Sequence, residues 1–138
     1  MTGFMLDTNI ISEMIRHPAG SVARRVEQVG PKEICTSIIV AAELRYGCVK
    51  KGSARLTDRV AGLLKTILIL PIDVPADHAY GRIRAELEAA GETIGSNDLF
   101  IAAQARTLGL TLVTDNMREF QRVRDLDLEN WLDRPTPP

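Results

Sequence analysis

The sequence predicts an α/β domain built around a mainly parallel β-sheet, and three observations carry that reading. Short apolar runs recur at residues 4–6, 33–36, 66–72 and 110–114 without the polar alternation of a half-exposed strand. Between them lie stretches with apolar residues at helical spacing, several bounded by capping residues or by Pro and Gly. The 138 residues contain no repeat, low-complexity tract or linker, so one domain is expected, large enough to bury roughly two-thirds of its unfolded surface.

Phe4-Met5-Leu6 reads as the first strand, cut off by a turn at Asp7-Thr8-Asn9. Ile10, Ile11, Met14 and Ile15 then share one helical face, which Pro18-Ala19-Gly20 ends. Ser21 to Val29 follows as a short helix with Val22, Val26 and Val29 inward. Gly30-Pro31 is a break before a strand at Glu33 to Thr36, and Ser37 is placed to cap a long helix from Ile38 to Lys50. Ala54 to Lys65 is amphipathic, and Thr66 to Ile72 reads as a strand closed by Asp73. Pro75 suits the first turn of a helix reaching Ala90, with Gly91 just past its end. Ser96 is expected to cap the next helix, after which Leu110 to Thr114 is a buried strand, Met117 to Phe120 one helical turn, and 125–131 the place of a last edge strand. The domain is expected to span 1–133, with 134–138 a disordered tail.

Composition narrows the function. Seventeen basic against eighteen acidic residues leave a net charge of −1, so a nucleic-acid partner would have to be met by local basic patches. Cys35 and Cys48 are too few for a disulfide scaffold and too far apart for a local metal motif, which suggests reduced thiols. The start has no basic leader region, and no apolar run approaches the about 20 residues that cross a bilayer, so a cytoplasmic location is expected.

Four acidic or amide positions fall where a parallel sheet places its ligands, beyond the carboxyl ends of strands. Asp7 follows the first strand, and Asp115-Asn116 follow the strand at 110–114. Asp98 lies in the first turn of its helix, and Glu43 about two turns into the helix entered from the second strand. Taken singly, each has a bland reading: a helix cap, a first-turn acid, a solvated helix position, turn residues. Together they would repel one another, and a divalent cation resolves that repulsion. Oxygen donors without clustered His or Cys favour Mg²⁺ or Mn²⁺ over Zn²⁺.

The motifs Met5-Leu6-Asp7-Thr8-Asn9-Ile10-Ile11-Ser12, Thr36-Ser37-Ile38 leading to Ala42-Glu43-Leu44-Arg45-Tyr46-Gly47, Ile94-Gly95-Ser96-Asn97-Asp98-Leu99-Phe100-Ile101-Ala102-Ala103, and Leu112-Val113-Thr114-Asp115-Asn116 running to Phe120 stand in this order along nearly the whole chain. In them the sequence resembles the PIN-domain ribonucleases, and among those the VapC toxins of toxin–antitoxin pairs. The resemblance implies a three-layer α/β/α sandwich and a Mg²⁺- or Mn²⁺-dependent endoribonuclease. It implies that Asp7, Glu43 and Asp98 are the core acids and metal ligands, with Thr8, Asn9 and Ser37 in support. The family's fourth acid aligns with Asn116, beside Asp115, so the fourth role passes to an amide that cannot be a strongly charged ligand. A VapB-type antitoxin, a homodimer and an RNA substrate, most similar to initiator tRNA cut in its anticodon loop, are also implied.

Cations that could meet RNA phosphates are Arg16, His17, Arg45, Lys50, Lys51 and Arg55, although each singly could be a solvated helix residue. With two Tyr, three Phe and one Trp, an extended base-stacking platform is not expected, and recognition of a structured loop by shape and backbone fits better. Two rival readings differ at specific positions. An aspartyl-phosphate enzyme using Asp7 would want an acid where Asn9 stands. A degenerate PIN domain serving only as a binding module would be expected to have lost one of the three core acids.

Overall fold

The computed structural model describes residues 3–132, and the expected tail at 134–138 lies outside them. Five short strands form the sheet: β1 (Phe4–Leu6), β2 (Ile34–Ser37), β3 (Leu68–Leu70), β4 (Thr111–Val113) and β5 (Leu128–Glu129). Their order is β3-β2-β1-β4-β5, and every pairing is parallel. All four residues of β2 are buried, which requires cover on both faces of the sheet. Seven helices supply the cover: α1 (Thr8–Arg16), α2 (Ser21–Val29), α3 (Ile38–Lys51), α4 (Ala54–Leu64), α5 (Ala76–Ala90), α6 (Ser96–Leu108) and α7 (Met117–Phe120). The result is the expected three-layer α/β/α sandwich.

The order of strands places the site. The chain leaves β1 toward β2 and β3 on one side, then returns to lay β4 and β5 on the other. The switch of direction falls between β1 and β4, where the connections diverge and leave a crevice beyond the strand ends. Register fixes which residues meet there: Leu6 pairs with Val113, so Asp7 and Thr114 emerge side by side. The Asp7 amide donates to the Val113 carbonyl at 2.9 Å. Thr36 ties the neighbouring strand in, its hydroxyl donating to the Leu6 carbonyl at 2.7 Å.

Local chemistry explains most boundaries. Asp7 and Ser37 cap α1 and α3 directly from the strands, accepting bonds from Thr8 N and Ile39 N. The turn expected at Asp7-Thr8-Asn9 is therefore a single capping residue, and Thr8 and Asn9 are already helical. Gly91 closes α5 in a left-handed conformation (φ 68°), a place where a side chain would be strained. One expected cap differs. Ser96 is the first residue of α6 rather than its cap; extended Gly95 occupies the cap position and offers its carbonyl to Leu99 N at 3.0 Å. Gly95 is extended (φ −60°, ψ 153°), so the helix starts at Ser96 and Asp98 takes the third helical position.

The core is built from Met5 and Leu6 of β1, Ile10 and Ile11 of α1, Val40 of α3, Ile101 and Ala102 of α6, and Leu112 and Val113 of β4. Ile101 is fully buried in the helix that carries Asp98. Ile101→Ala is expected to cost about 2–5 kcal/mol of unfolding free energy, measured by urea denaturation.

Candidate active site

Asp7 is the buried anchor of the crevice, with 5% of its surface exposed. Thr8 N donates to its Oδ1 at 2.9 Å and the Thr114 hydroxyl donates to its Oδ2 at 2.7 Å. Burial pushes its pKa above the usual carboxylate value; the bonds from Thr114 and Thr8 oppose that, and the nearby charge of Glu43 adds to it. Glu43 reaches the same place from α3, where its Oε1 accepts a 2.8 Å bond from the Thr8 hydroxyl. Thr8 thus holds both acids at once, one through its backbone and one through its side chain.

Asp98, in the first turn of α6, has its pKa raised to about 6. Burial is the largest cause, followed by the charges of Asp7, Glu119 and Glu43. The three acids expected from the sequence are thus electrostatic neighbours although they lie far apart in the chain, Asp7 and Asp98 at helix starts and Glu43 within α3. Glu119 is the residue that sequence reasoning missed. It lies on α7, and its Oε2 accepts a 2.8 Å bond from the Asn116 amide. The signal available was helical spacing, since Glu119 follows Asn116 by three residues and shares its face of a one-turn helix.

Asn116 itself is turned toward Glu119, and its backbone N–H donates to the Thr114 hydroxyl at 3.0 Å. Asp115 is drawn elsewhere: its N–H donates to Asn9 Oδ1 at 3.1 Å and its carboxylate accepts from Asn130 Nδ2 at 3.1 Å. Asn9 therefore supports the loop after β4 rather than an acid of the crevice. Ser37 is buried and engaged as the α3 cap.

Among the described residues none of Asp7, Glu43, Asp98 and Glu119 is ion-paired with a Lys, Arg or His. Nor do three acidic, His or Cys side chains among those residues converge on one point as a ready-made ion cage. Four carboxylates therefore raise a shared negative potential across an open crevice without an internal counter-charge. That donor set fits a hard divalent cation that keeps much of its water and takes only one or two direct carboxylate bonds.

A PIN-domain family model matches residues 4–126. The chain belongs to the PIN-domain family, in its VapC ribonuclease branch. Ribonuclease VapC2 of Haemophilus influenzae is 40% identical over 136 residues, covering 96% of this chain and 100% of that one. The tRNA(fMet)-specific endonuclease VapC of Shigella flexneri is 38% identical, covering 95% of this chain and 99% of the relative. Among solved structures, VapBC2 of Rickettsia felis bound to a DNA fragment from its promoter superposes with a TM-score of 0.87 at 38% identity, covering 95% of this chain and 99% of that chain. DNA-bound VapBC of Salmonella typhimurium gives 0.86 at 34%, covering 96% and 100%. The sheet and helices of this PIN domain are thus those of the family throughout, and no helix among its described residues is long and apolar enough to cross a membrane.

The crowding of charge has a measurable consequence. A carboxyl whose pKa is raised in the folded state binds more protons folded than unfolded, so its contribution to stability falls as pH rises from about 4 to about 6. Without metal, Asp98→Asn is expected to melt at a higher temperature than the parent at pH 7.5 and at nearly the same temperature at pH 4. Millimolar Mg²⁺ should raise the parent's melting temperature at pH 7.5 and leave the variant's nearly unmoved. Scanning calorimetry at the two pH values reads both effects.

Proposed function

We propose that this protein is the toxin of a toxin–antitoxin pair, a Mg²⁺-dependent endoribonuclease acting on tRNA, with Mn²⁺ able to substitute. The observation that carries the reading is the unpaired acidic quartet at the β1/β4 switch of a PIN sheet. RNA as the substrate class is supported by relatives named ribonucleases, and tRNA by those named tRNA(fMet)-specific endonucleases. A VapB-type antitoxin is the expected partner, supported by the VapBC complexes among the structural neighbours. Homodimerisation and a cytoplasmic location complete the proposal.

Asp7 and Asp98 would hold the metal, with Glu43 beside them to support a metal-bound water. A divalent cation held there would neutralise charge at the phosphodiester and make water a better nucleophile near neutral pH. Each Asp7 oxygen has one lone pair committed to Thr8 or Thr114, which fixes the carboxylate plane and leaves the other pairs free. Glu43, steadied by the Thr8 hydroxyl, accepts the proton of the attacking water. The water oxygen bonds to phosphorus, the bond from phosphorus to the 3′ oxygen breaks, and that oxygen takes up a proton. The products are a 5′-phosphate and a 3′-hydroxyl. Glu119 takes the fourth acidic role, and Asn116 serves by orienting it. The intact set of core acids favours the enzyme over the non-catalytic binding module.

The test is cleavage of unfractionated tRNA by the purified protein, freed of antitoxin, in Mg²⁺ or EDTA. Discrete fragments with 5′-phosphate ends are expected, lost with EDTA and in Asp98→Asn. A 2′,3′-cyclic phosphate end would overturn the hydrolytic scheme, and an absence of cleavage of tRNA, rRNA and mRNA would turn the assignment to a binding module. The fourth role is read by a pair of variants. Glu119→Gln is expected to lower cleavage by about 10–100-fold, as for a group acting on metal affinity. Asp115→Asn, which keeps an acceptor for Asn130, should stay within a few-fold of the parent in the same assay.

A further inference from the structure

Next to the acids lies a cavity of about 350 Å³ between α1, α3 and α4, which the chemistry above does not use. Its walls are apolar: Ile15 from α1, Leu44 and Cys48 from α3, and Leu56 and Val60 from α4. Thr8 and Glu43, joined by their 2.8 Å hydrogen bond, belong to the same lining, so the cavity opens directly onto the acidic crevice. We propose that it is a nucleobase subsite, taking one unstacked base of the RNA strand beside the phosphodiester held at the acids. The proposal rests on the ribonuclease reading and adds to it where the strand runs and how a base is held.

Size, charge and shape each favour that occupant. The volume falls in the lower part of the ~300–1,000 Å³ range of cavities that accept small organic ligands, suited to a base with part of its ribose. Two cations, Arg16 and Lys51, sit in the lining with the apolar walls, opposite in charge to Glu43 and beside the hydroxyls of Thr8 and Ser12. Arg16 bonds to Glu13 at 3.0 Å on an exposed surface, a pair weak enough to exchange for a phosphate. Lys51 has no carboxylate partner among the described residues. Apolar walls flanked by cations, beside a site for a phosphodiester, match a base with phosphates on either side. A purely apolar peptide side chain would use the walls and leave the cations idle.

Gly47 shapes the opening. It also lines the cavity, and a Cβ there would meet nothing within 4 Å, so that part of the α3 wall is bare. The Arg59 guanidinium, on α4, donates to the Ile15 carbonyl at the end of α1, which ties two walls together before any ligand arrives. The lining holds no aromatic ring, so a single base clasped between aliphatic side chains fits it and a stacked run of bases does not.

Two experiments test the subsite. The first is titration of the full-length wild-type protein with each nucleoside 5′-monophosphate and with ribose 5-phosphate, followed by amide NMR. At least one nucleotide should shift Gly47, Cys48 and Leu56 and bind about tenfold or more tighter than ribose 5-phosphate. Equal shifts and affinity for ribose 5-phosphate, or no shift with any nucleotide, would overturn the proposal. The second is tRNA cleavage by Gly47→Leu, whose new side chain fills the cavity mouth, beside Gly62→Leu, an exposed α4 position with equally open surroundings that does not line the cavity. With both variants melting like the parent, Gly47→Leu should raise KM roughly tenfold with a smaller change in kcat, and Gly62→Leu should match the parent. Parental cleavage by Gly47→Leu overturns the subsite while leaving the nuclease intact. Parental cleavage together with lost antitoxin binding would reassign the cavity to protein docking. Absence of cleavage by the wild type overturns the ribonuclease reading itself.

Discussion

Much of this molecule is arranged around one buried carboxylate. Asp7 sits at the junction of β1 and α1 with almost no exposed surface, and burial alone would favour its neutral form. Two donors counter that: the first amide of α1 and the Thr114 hydroxyl at the end of β4. Neither can be moved without disturbing the fold, because the first is a helix cap and the second exists only in the register that pairs Leu6 with Val113. The central strand pairing and the placement of Asp7 are therefore one arrangement, and the sheet cannot slip without moving its acid.

Around that anchor the chain accumulates negative charge against its own stability. Asp98 is pushed up to about 6 by burial and by the charges of Asp7, Glu119 and Glu43, and no basic side chain among the described residues offsets them. A fold selected for stability alone would place a Lys or Arg there, or replace one acid by an amide. Local destabilisation of this kind is the usual cost of a functional site. The apolar cavity beside it has the complementary character. It is formed by three helices, bordered by two cations and shared with the site through Thr8 and Glu43.

The neighbouring segments show how such a site is held in place. Asp115, which stands beside the aligned fourth position in sequence, is taken up by Asn9 and Asn130 and anchors the loop after β4. Trp131 continues that restraint: its carbonyl accepts from Ser21, its indole donates to Glu129, and its ring packs on Phe4 at 5.1 Å. The last residues of the described chain thus hold α2, β1 and the loop preceding α7 together, which is why a two-residue strand suffices at this edge.

What the sequence determined by itself was local. Helical periodicity, Ser37 as a cap, Gly91 past a helix end and apolar runs too uniform for a half-exposed strand located nearly every element, and they put Asp7 and Asp98 at strand and helix ends and Glu43 about two turns into α3. Each of those signals is carried by residues within a few positions of one another. The cap of α6 was misplaced by one residue because Gly95 and Ser96 are both competent there, and only the backbone that Gly95 adopts in the fold decides between them. Tertiary structure alone decided the strand order, the partnership of Thr114 with Asp7 across 107 positions, the entry of Glu119 into the acidic group, and the cavity between α1, α3 and α4. These follow from which distant surfaces pack together, and a contact between distant residues leaves no period, cap or turn in the chain to announce it.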